Sequence, residues 1–476
     1  MLIFLALLVI GCFAALLFTR FKWITAGLAT YLFCVLLFPP QVKIFGFSPS
    51  TIFSYFLFAI SLYYGIKNKL FTQIDNKKIM AVLLVYMSVY LFLLPLGAGM
   101  DFLEPDQKDA LKIFVLDVFP FAFFSYLLRN SRQVESILKY ISVVGLFVFV
   151  YGVYSYATQQ NLYIMLVSAV YSDVAGFEKM LEESRGGLEG RLGGTIGNPV
   201  FYSGLLLILF YFILGLYLKL SKKQFFWKLI LLASMGGLFM NVFFSGSRSS
   251  LVALFLGFGC FCLKWWSKAR LAISFTAVVF VLILGMSFPV FGKYQVFVDS
   301  IIYFWDDSKS KGEIKGSSVA MRQYQLEGLA DVVGAKGAVF GLGAGWISKY
   351  IHRNGMHPVL LGFESLFFNA VTQYGIVGFF LLYLLFFLAM LHLCWHYKQL
   401  SRIGELDFWF MSCFVFSYVV YAFMTGPYFW GLFLCGYALL LKYFLYKNDE
   451  QKKLLNFMKV IKVLKDKKTE DAQGSI

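Results

Sequence analysis

Residues 199–218 read PVFYSGLLLILFYFILGLYL, twenty positions without a charged side chain. A helix rises 1.5 Å per residue, so about 20 apolar residues cross a hydrocarbon layer of about 30 Å. Comparable runs precede it at 2–18, 23–38, 50–66, 79–97, 112–128 and 137–157. Others follow at 229–246, 249–263, 271–288, 363–391, 406–424 and 427–443. With 60% apolar and 20% aromatic residues over 476 positions, little sequence remains for a water-facing surface. The expected fold class is all-α: a polytopic transmembrane helix bundle of about 12 to 14 spans.

Charge sets the expected orientation. Lys and Arg in short connections stay on the cytoplasmic side of a membrane. Arg20 and Lys22, Lys67 to Lys78, Arg129 to Lys139, Lys219 to Lys228, Lys264 to Arg270, Lys398 with Arg402, and the tail from Lys442 alternate onto one side. The net charge of +16 is therefore expected on the cytoplasmic face, against anionic headgroups, with no role for nucleic acid. On this count the N-terminus faces out and the C-terminus in. The first span has no basic n-region and no small-residue cleavage site, so it is expected to be retained. All seven cysteines fall within apolar runs, and none has the spacing of a disulfide framework or a zinc site. No metal and no cofactor are expected.

Two outer connections are long, at 158–198 and 289–360, and long outer loops are where a soluble substrate would be met. In the second, Leu326, Leu329, Ala330 and Val333 recur at helical spacing and predict an amphipathic helix at a cavity mouth. Residues 444–476 hold Leu454, Leu455, Met458, Ile461 and Leu464 among Lys452, Lys453, Lys459, Lys462 and Lys465. They predict a basic amphipathic tail against the membrane surface. The chain thus divides into spans and first loop at 1–190, a second membrane region at 191–443 with the large loop 289–360, and the tail at 444–476.

Polar residues that cost most in such a chain carry the functional signal. Arg191 closes the first long loop, Arg248 sits in the hairpin Ser245-Gly246-Ser247-Arg248-Ser249-Ser250, and Arg322 lies in the second loop. Guanidinium groups bind phosphate oxygens in pairs and stay charged, which suits all three to a diphosphate held without metal. Glu364, at the outer start of a long span, is one candidate base. His357, seven residues earlier, is the other, because imidazole accepts a proton near neutral pH. Asp117 lies inside the fifth span, as a proton-relay group or a polar contact between helices. Gly341-Leu342-Gly343-Ala344-Gly345 lacks the Lys and Ser/Thr of a phosphate loop and is not read as nucleotide binding.

Between residues 191 and 380 the chain resembles the bacterial O-antigen polymerase and O-antigen ligase superfamily of integral membrane glycosyltransferases. The matching stretches are Arg191-x-x-Gly194-Thr195-x-x-Asn198-Pro199, Ser245-x-Ser247-Arg248, and Arg322 ahead of Phe340-Gly341-Leu342-Gly343. Glu364-Ser365 and Gln373-Tyr374-Gly375-Ile376-Val377-Gly378 complete them. The resemblance implies a GT-C-like bundle in the bacterial inner membrane, with two long periplasmic loops and the active site on the periplasmic side. It implies a metal-independent, inverting transfer from an undecaprenyl-diphosphate-linked oligosaccharide. Arg191, Arg248 and Arg322 would hold the diphosphate, and Glu364 or His357 would take the acceptor's proton. Ligases of the superfamily carry His-Asn where this chain has Glu364-Ser365, so a polymerase of O-antigen or capsule is preferred to a ligase acting on lipid A core. Membrane lipids and a chain-length regulator are the other expected partners.

A lipid-linked oligosaccharide transporter would also carry arginines along its path. No internal repeat relates the two halves, however, and the polar residues collect at helix ends. A sensor or scaffold for envelope assembly is the remaining class.

Overall fold

The computed structural model describes residues 2–38, 42–44, 46–67, 74–158, 160–170, 192–221, 223–265, 319–360 and 362–473. Among them the chain is helical, and an isolated antiparallel bridge between Ile44 and Phe47 is the one β pairing. The first half contributes α1 (Leu2–Phe18), α2 (Trp23–Leu37), α3 (Pro49–Lys67), α4 (Ile74–Leu93), α5 (Pro105–Tyr126), α6 (Ser131–Thr158) and α7 (Leu162–Val170). The second contributes α8 (Pro199–Lys219), α9 (Phe225–Phe244), α10 (Arg248–Trp265), α11 (Val319–Gly337), α12 (Trp346–Asn354), α13 (Leu366–Gly378), α14 (Leu385–Gln399), α15 (Glu405–Thr425) and α16 (Trp430–Gln473). A π-helical turn, Phe379–Leu384, joins α13 to α14.

Six of the described helical stretches are long and apolar enough to cross a membrane: Pro49–Lys67, Ser131–Thr158, Pro199–Lys219, Phe225–Phe244, Leu366–Gln399 and Glu405–Thr425. The apolar helices α1 and α2 are shorter. Twelve of the thirteen expected runs coincide with described helices, and the run at 271–288 lies outside the described residues. The loop residues 171–191 and 289–318 lie outside them too.

α8 is the axis of the bundle. It is buried from Tyr202 to Leu216 because α6, α9, α10, α15 and α16 pack around it. A helix apolar on every side belongs in such a position. The α10–α15 contact is close because Gly257 has no side chain: a Cβ there would collide with Ser417 Oγ.

One end of the bundle is tied by ions. Lys219, the last residue of α8, pairs with Asp407 of α15 at 2.8 Å, and Asn448 of α16 donates to the same carboxylate at 2.8 Å. Glu135 of α6 accepts from Lys139 and Lys447 at 2.8 Å each, and Arg402 meets Asp449 at 2.9 Å. Lys264, near the end of α10, reaches Glu405 at 2.8 Å. These basic residues are among those expected to share one side of the membrane. Residues 444–476, expected as a separate tail, continue α16 as helix to Gln473, because no Gly or Pro interrupts the chain between Gly436 and Gly474.

At the other end α11 and α12 form a small second core with the start of α13, from Leu329, Val333, Ile347, Leu360, Phe363, Phe368 and Val371. The expected stripe on α11 is half present: Leu329 and Val333 are buried, but Leu326 and Ala330 are exposed. The inward stripe continues instead through Gln325 and Arg322, which keep the same i, i+3/i+4 rhythm with polar atoms.

A backbone clasp fixes this second core to the bundle. Leu342 N–H donates to Thr372 O at 2.7 Å and Gly343 N–H to Gln373 O at 3.0 Å, while Ile376 and Val377 donate to Ala338 and Val339. Ala98 and Gly99 donate to Gly341 and Leu342 from the other side. Gly375 breaks α13 at φ 67°, and a Cβ there would strike the Val339 carbonyl. The Gly341–Gly345 stretch is thus a structural crossing.

Candidate functional site

Arg248, Arg322, Glu364 and His357 lie at the end opposite the Lys219–Asp407 pair. α8 starts there at Pro199, where Asn198 caps the helix by accepting from Val200 N–H at 2.9 Å and Phe201 N–H at 3.1 Å. α10 also starts there. The α9–α10 hairpin folds through Ser245, whose N–H bonds to Asn241 O and whose hydroxyl bonds to Val242 O at 2.6 Å. Arg248 is the first residue of α10 and is half-buried.

Arg322 is held against backbone carbonyls. Its Nη1 donates to Gln325 Oε1 and to Glu364 O, each at 3.0 Å, and its Nη2 donates to Met424 O at 2.6 Å near the end of α15. The guanidinium also lies 5.7 Å from the Phe368 ring centroid. Burial draws it below its ordinary pKa, and the nearby Glu364 carboxylate opposes that shift.

The carboxylate of Glu364 is exposed and folds back over Gly362. Arg322 and the Tyr428 hydroxyl are both within its electrostatic reach. Tyr428 packs on Phe201 of α8 with ring centroids 4.1 Å apart. Its carbonyl accepts from Tyr418 OH at 2.8 Å.

Hydrogen bonds connect this group to the arginine hairpin. Tyr421 OH donates to Val200 O at 3.1 Å, and the hydroxyl of Ser203, one turn along, is hydrogen-bonded to that of Ser250 of α10 at 2.6 Å. Arg322, Glu364 and Arg248 therefore stand on one connected framework built from α8, α10, α11, α13 and α15. Arg191 lies outside the described residues. Its neighbour Leu192 donates to Phe244 O at 3.2 Å, at the last residue of α9.

His357 closes the turn that precedes Glu364. Its Nδ1 accepts from Val359 N–H at 3.1 Å and Leu360 N–H at 3.0 Å. Those two bonds occupy Nδ1 within the turn. Asp117 belongs to α5, which is not one of the helices of that framework. It packs against Gly431 of α16, within electrostatic reach of Tyr31, Tyr86, Tyr383 and Tyr418.

Tyr428, Gln325 and Ser203 were not legible as site residues, and Ser250 entered only as part of the Arg248 hairpin. Gly426-Pro427 was the available signal for Tyr428, since such a dipeptide ends a helix and starts a turn. Gln325 and the two serines sit inside helical runs that hydropathy reads only for their apolar neighbours. No protein-family model matches the chain, and no curated protein matches it.

Proposed function

We propose that this chain is an integral membrane glycosyltransferase of the O-antigen polymerase type, with a GT-C-like bundle in the bacterial inner membrane. It transfers an undecaprenyl-diphosphate-linked oligosaccharide onto a further repeat unit at the periplasmic face. The observation that carries the reading is the hydrogen bond from Arg322 Nη1 to Glu364 O at 3.0 Å, which joins a candidate diphosphate-binding cation to a candidate base.

In the reaction an acceptor hydroxyl oxygen attacks C1 of the donor sugar from the face opposite the diphosphate. The C1–O bond to the diphosphate breaks with inversion, and undecaprenyl diphosphate leaves with the electron pair. The Glu364 carboxylate takes the hydroxyl proton. Arg248 and Arg322, with Arg191, offset the charge that grows on the leaving oxygen, an effect worth about 2.7 to 4 kcal/mol for one well-placed donor. The occupied Nδ1 of His357 supports Glu364 as base, and with it polymerase over ligase.

Purified protein in liposomes, given undecaprenyl-diphosphate oligosaccharide and excess chelator, tests this. A ladder of repeats resolved by size supports the polymerase. Product only after lipid A core is added makes the chain a ligase, and intact donor moved across the bilayer makes it a transporter.

A further inference from the structure

The geometry points to Phe363 as the residue that positions Glu364, through a backbone conformation that an aromatic bracket holds in place. This inference rests on the proposed role of Glu364. Phe363 has φ +57°, in the left-handed region that a bulky side chain adopts only when its surroundings impose it. Its side chain is 1% exposed, while the Glu364 side chain that follows is exposed.

Three rings grip the Phe363 side chain. Trp346 and Tyr350 of α12 meet it edge-on at 6.2 Å, at 89° and 82°, and His357 lies at 6.1 Å. The backbone is fixed on both sides. Phe363 N–H donates to Leu360 O at 2.8 Å, within the turn that His357 closes through Val359 and Leu360. Ser365 N–H donates to Phe363 O at 2.8 Å, and Ser365 caps α13 while its hydroxyl holds Phe423 O at 2.7 Å.

The consequence is directional. With its ring pinned inside the second core, residue 363 cannot relax to negative φ, a rotation of roughly 120° to the ordinary helical or extended wells. The carbonyl of Glu364 therefore stays on Arg322, and its carboxylate stays exposed above Gly362. His357 belongs to this bracket as a positioning residue, which gives it a function without proton transfer.

The test compares Phe363→Ala, Phe363→Tyr and Glu364→Gln in full-length protein, with two readouts. Steady-state polymerisation separates kcat from KM, and hydrogen exchange of peptides spanning 357–366 reports the bracket without any need for activity. Phe363→Ala is expected to lower kcat by about 100-fold with KM little changed, the scale of a roughly 1 Å misplacement. It is also expected to speed exchange over 357–366, while Phe363→Tyr restores both. Glu364→Gln is expected to lose turnover with exchange as in the wild type. Wild-type kcat in Phe363→Ala, or exchange unaltered by it, overturns the inference. If the wild type makes no polymer, the proposed function falls, and the exchange arm alone still decides whether Phe363 holds residue 364.

Discussion

Arg322 and Glu364 meet through a side chain and a backbone: Nη1 of the arginine donates to the carbonyl oxygen of the glutamate at 3.0 Å, across 42 positions of sequence. The same guanidinium reaches Met424 O on α15, so one cation fixes the turn that carries the candidate base to the end of a bundle helix.

Arg322→Lys is therefore expected to fail almost as fully as Arg322→Ala. A lysine ammonium is a point charge and cannot bridge three acceptors in the geometry of a planar fork. Both variants should lose at least about 100-fold in polymer formation while still inserting into the membrane, the range for removing one transition-state donor. The check is initial rate per folded molecule, with folding read by size exclusion.

Glu364→Gln should reduce turnover by about 10² to 10⁴, the usual contribution of a general base. His357→Ala should lose less, and His357→Asn should recover most of the loss, because an Asn side-chain oxygen can accept the Val359 and Leu360 N–H groups in its place. Equal, unrescued losses at both positions would return His357 to the candidate bases.

Asp407→Ala tests the opposite end. The carboxylate is 3% exposed and its partner Lys219 14%. Removing one member of a buried pair leaves a charge uncompensated and costs roughly 3 to 5 kcal/mol. A lower thermal midpoint in detergent is the expected result, with Asp407→Leu/Lys219→Met recovering much of it. Neither variant should alter the specific activity of the protein that remains folded.

Gly375→Ala should prevent the clasp between α13 and the Gly341–Gly343 crossing. The residue needs φ 67°, and its added methyl group would meet the Val339 carbonyl. Ala at positive φ destabilises by more than about 1 kcal/mol before any clash is counted. Faster hydrogen exchange over 338–345 and 372–378 is the readout.

The contact between α12 and the start of α5 should depend on pH. Glu104 pairs with Lys349 at 2.5 Å, and that hydrogen bond, helped by Asp101 N–H, holds its carboxyl below the ordinary range. A depressed folded-state value means that the stabilisation is full above the ordinary carboxylate value of about 4.3 and is lost as pH falls through the lowered one. Exchange at 346–354, taken relative to the intrinsic amide rate at each pH, should stay constant from neutral pH to about pH 5, then rise on further acidification. Glu104→Gln should remove that rise.

The helices were legible because apolar runs of membrane-crossing length leave few other folds. The two ends were legible because basic residues such as Lys219, Lys264 and Arg402 recur at alternate connections between apolar runs. What escaped was decided by tertiary contact. Hydropathy gave no sign that Gly375 breaks a long apolar run, since the break exists to admit Gly341 and Gly343 from elsewhere in the chain. α5 starts at Pro105 because Pro and Asp106 suit a first turn, so it runs seven residues ahead of the apolar segment. At the site, residue type pointed to Arg322 and Glu364 singly, but their joining needs the path through α15. That His357 Nδ1 accepts from Val359 and Leu360 is a property of the folded loop, which residue type does not reveal.

The most direct measurement of the central claim counts undecaprenyl diphosphate released by purified protein against glycosidic bonds formed. One molecule released per repeat added, with release lost in Glu364→Gln and Arg322→Ala, is the predicted result. Folded wild-type protein that releases none from a donor it demonstrably binds would contradict it.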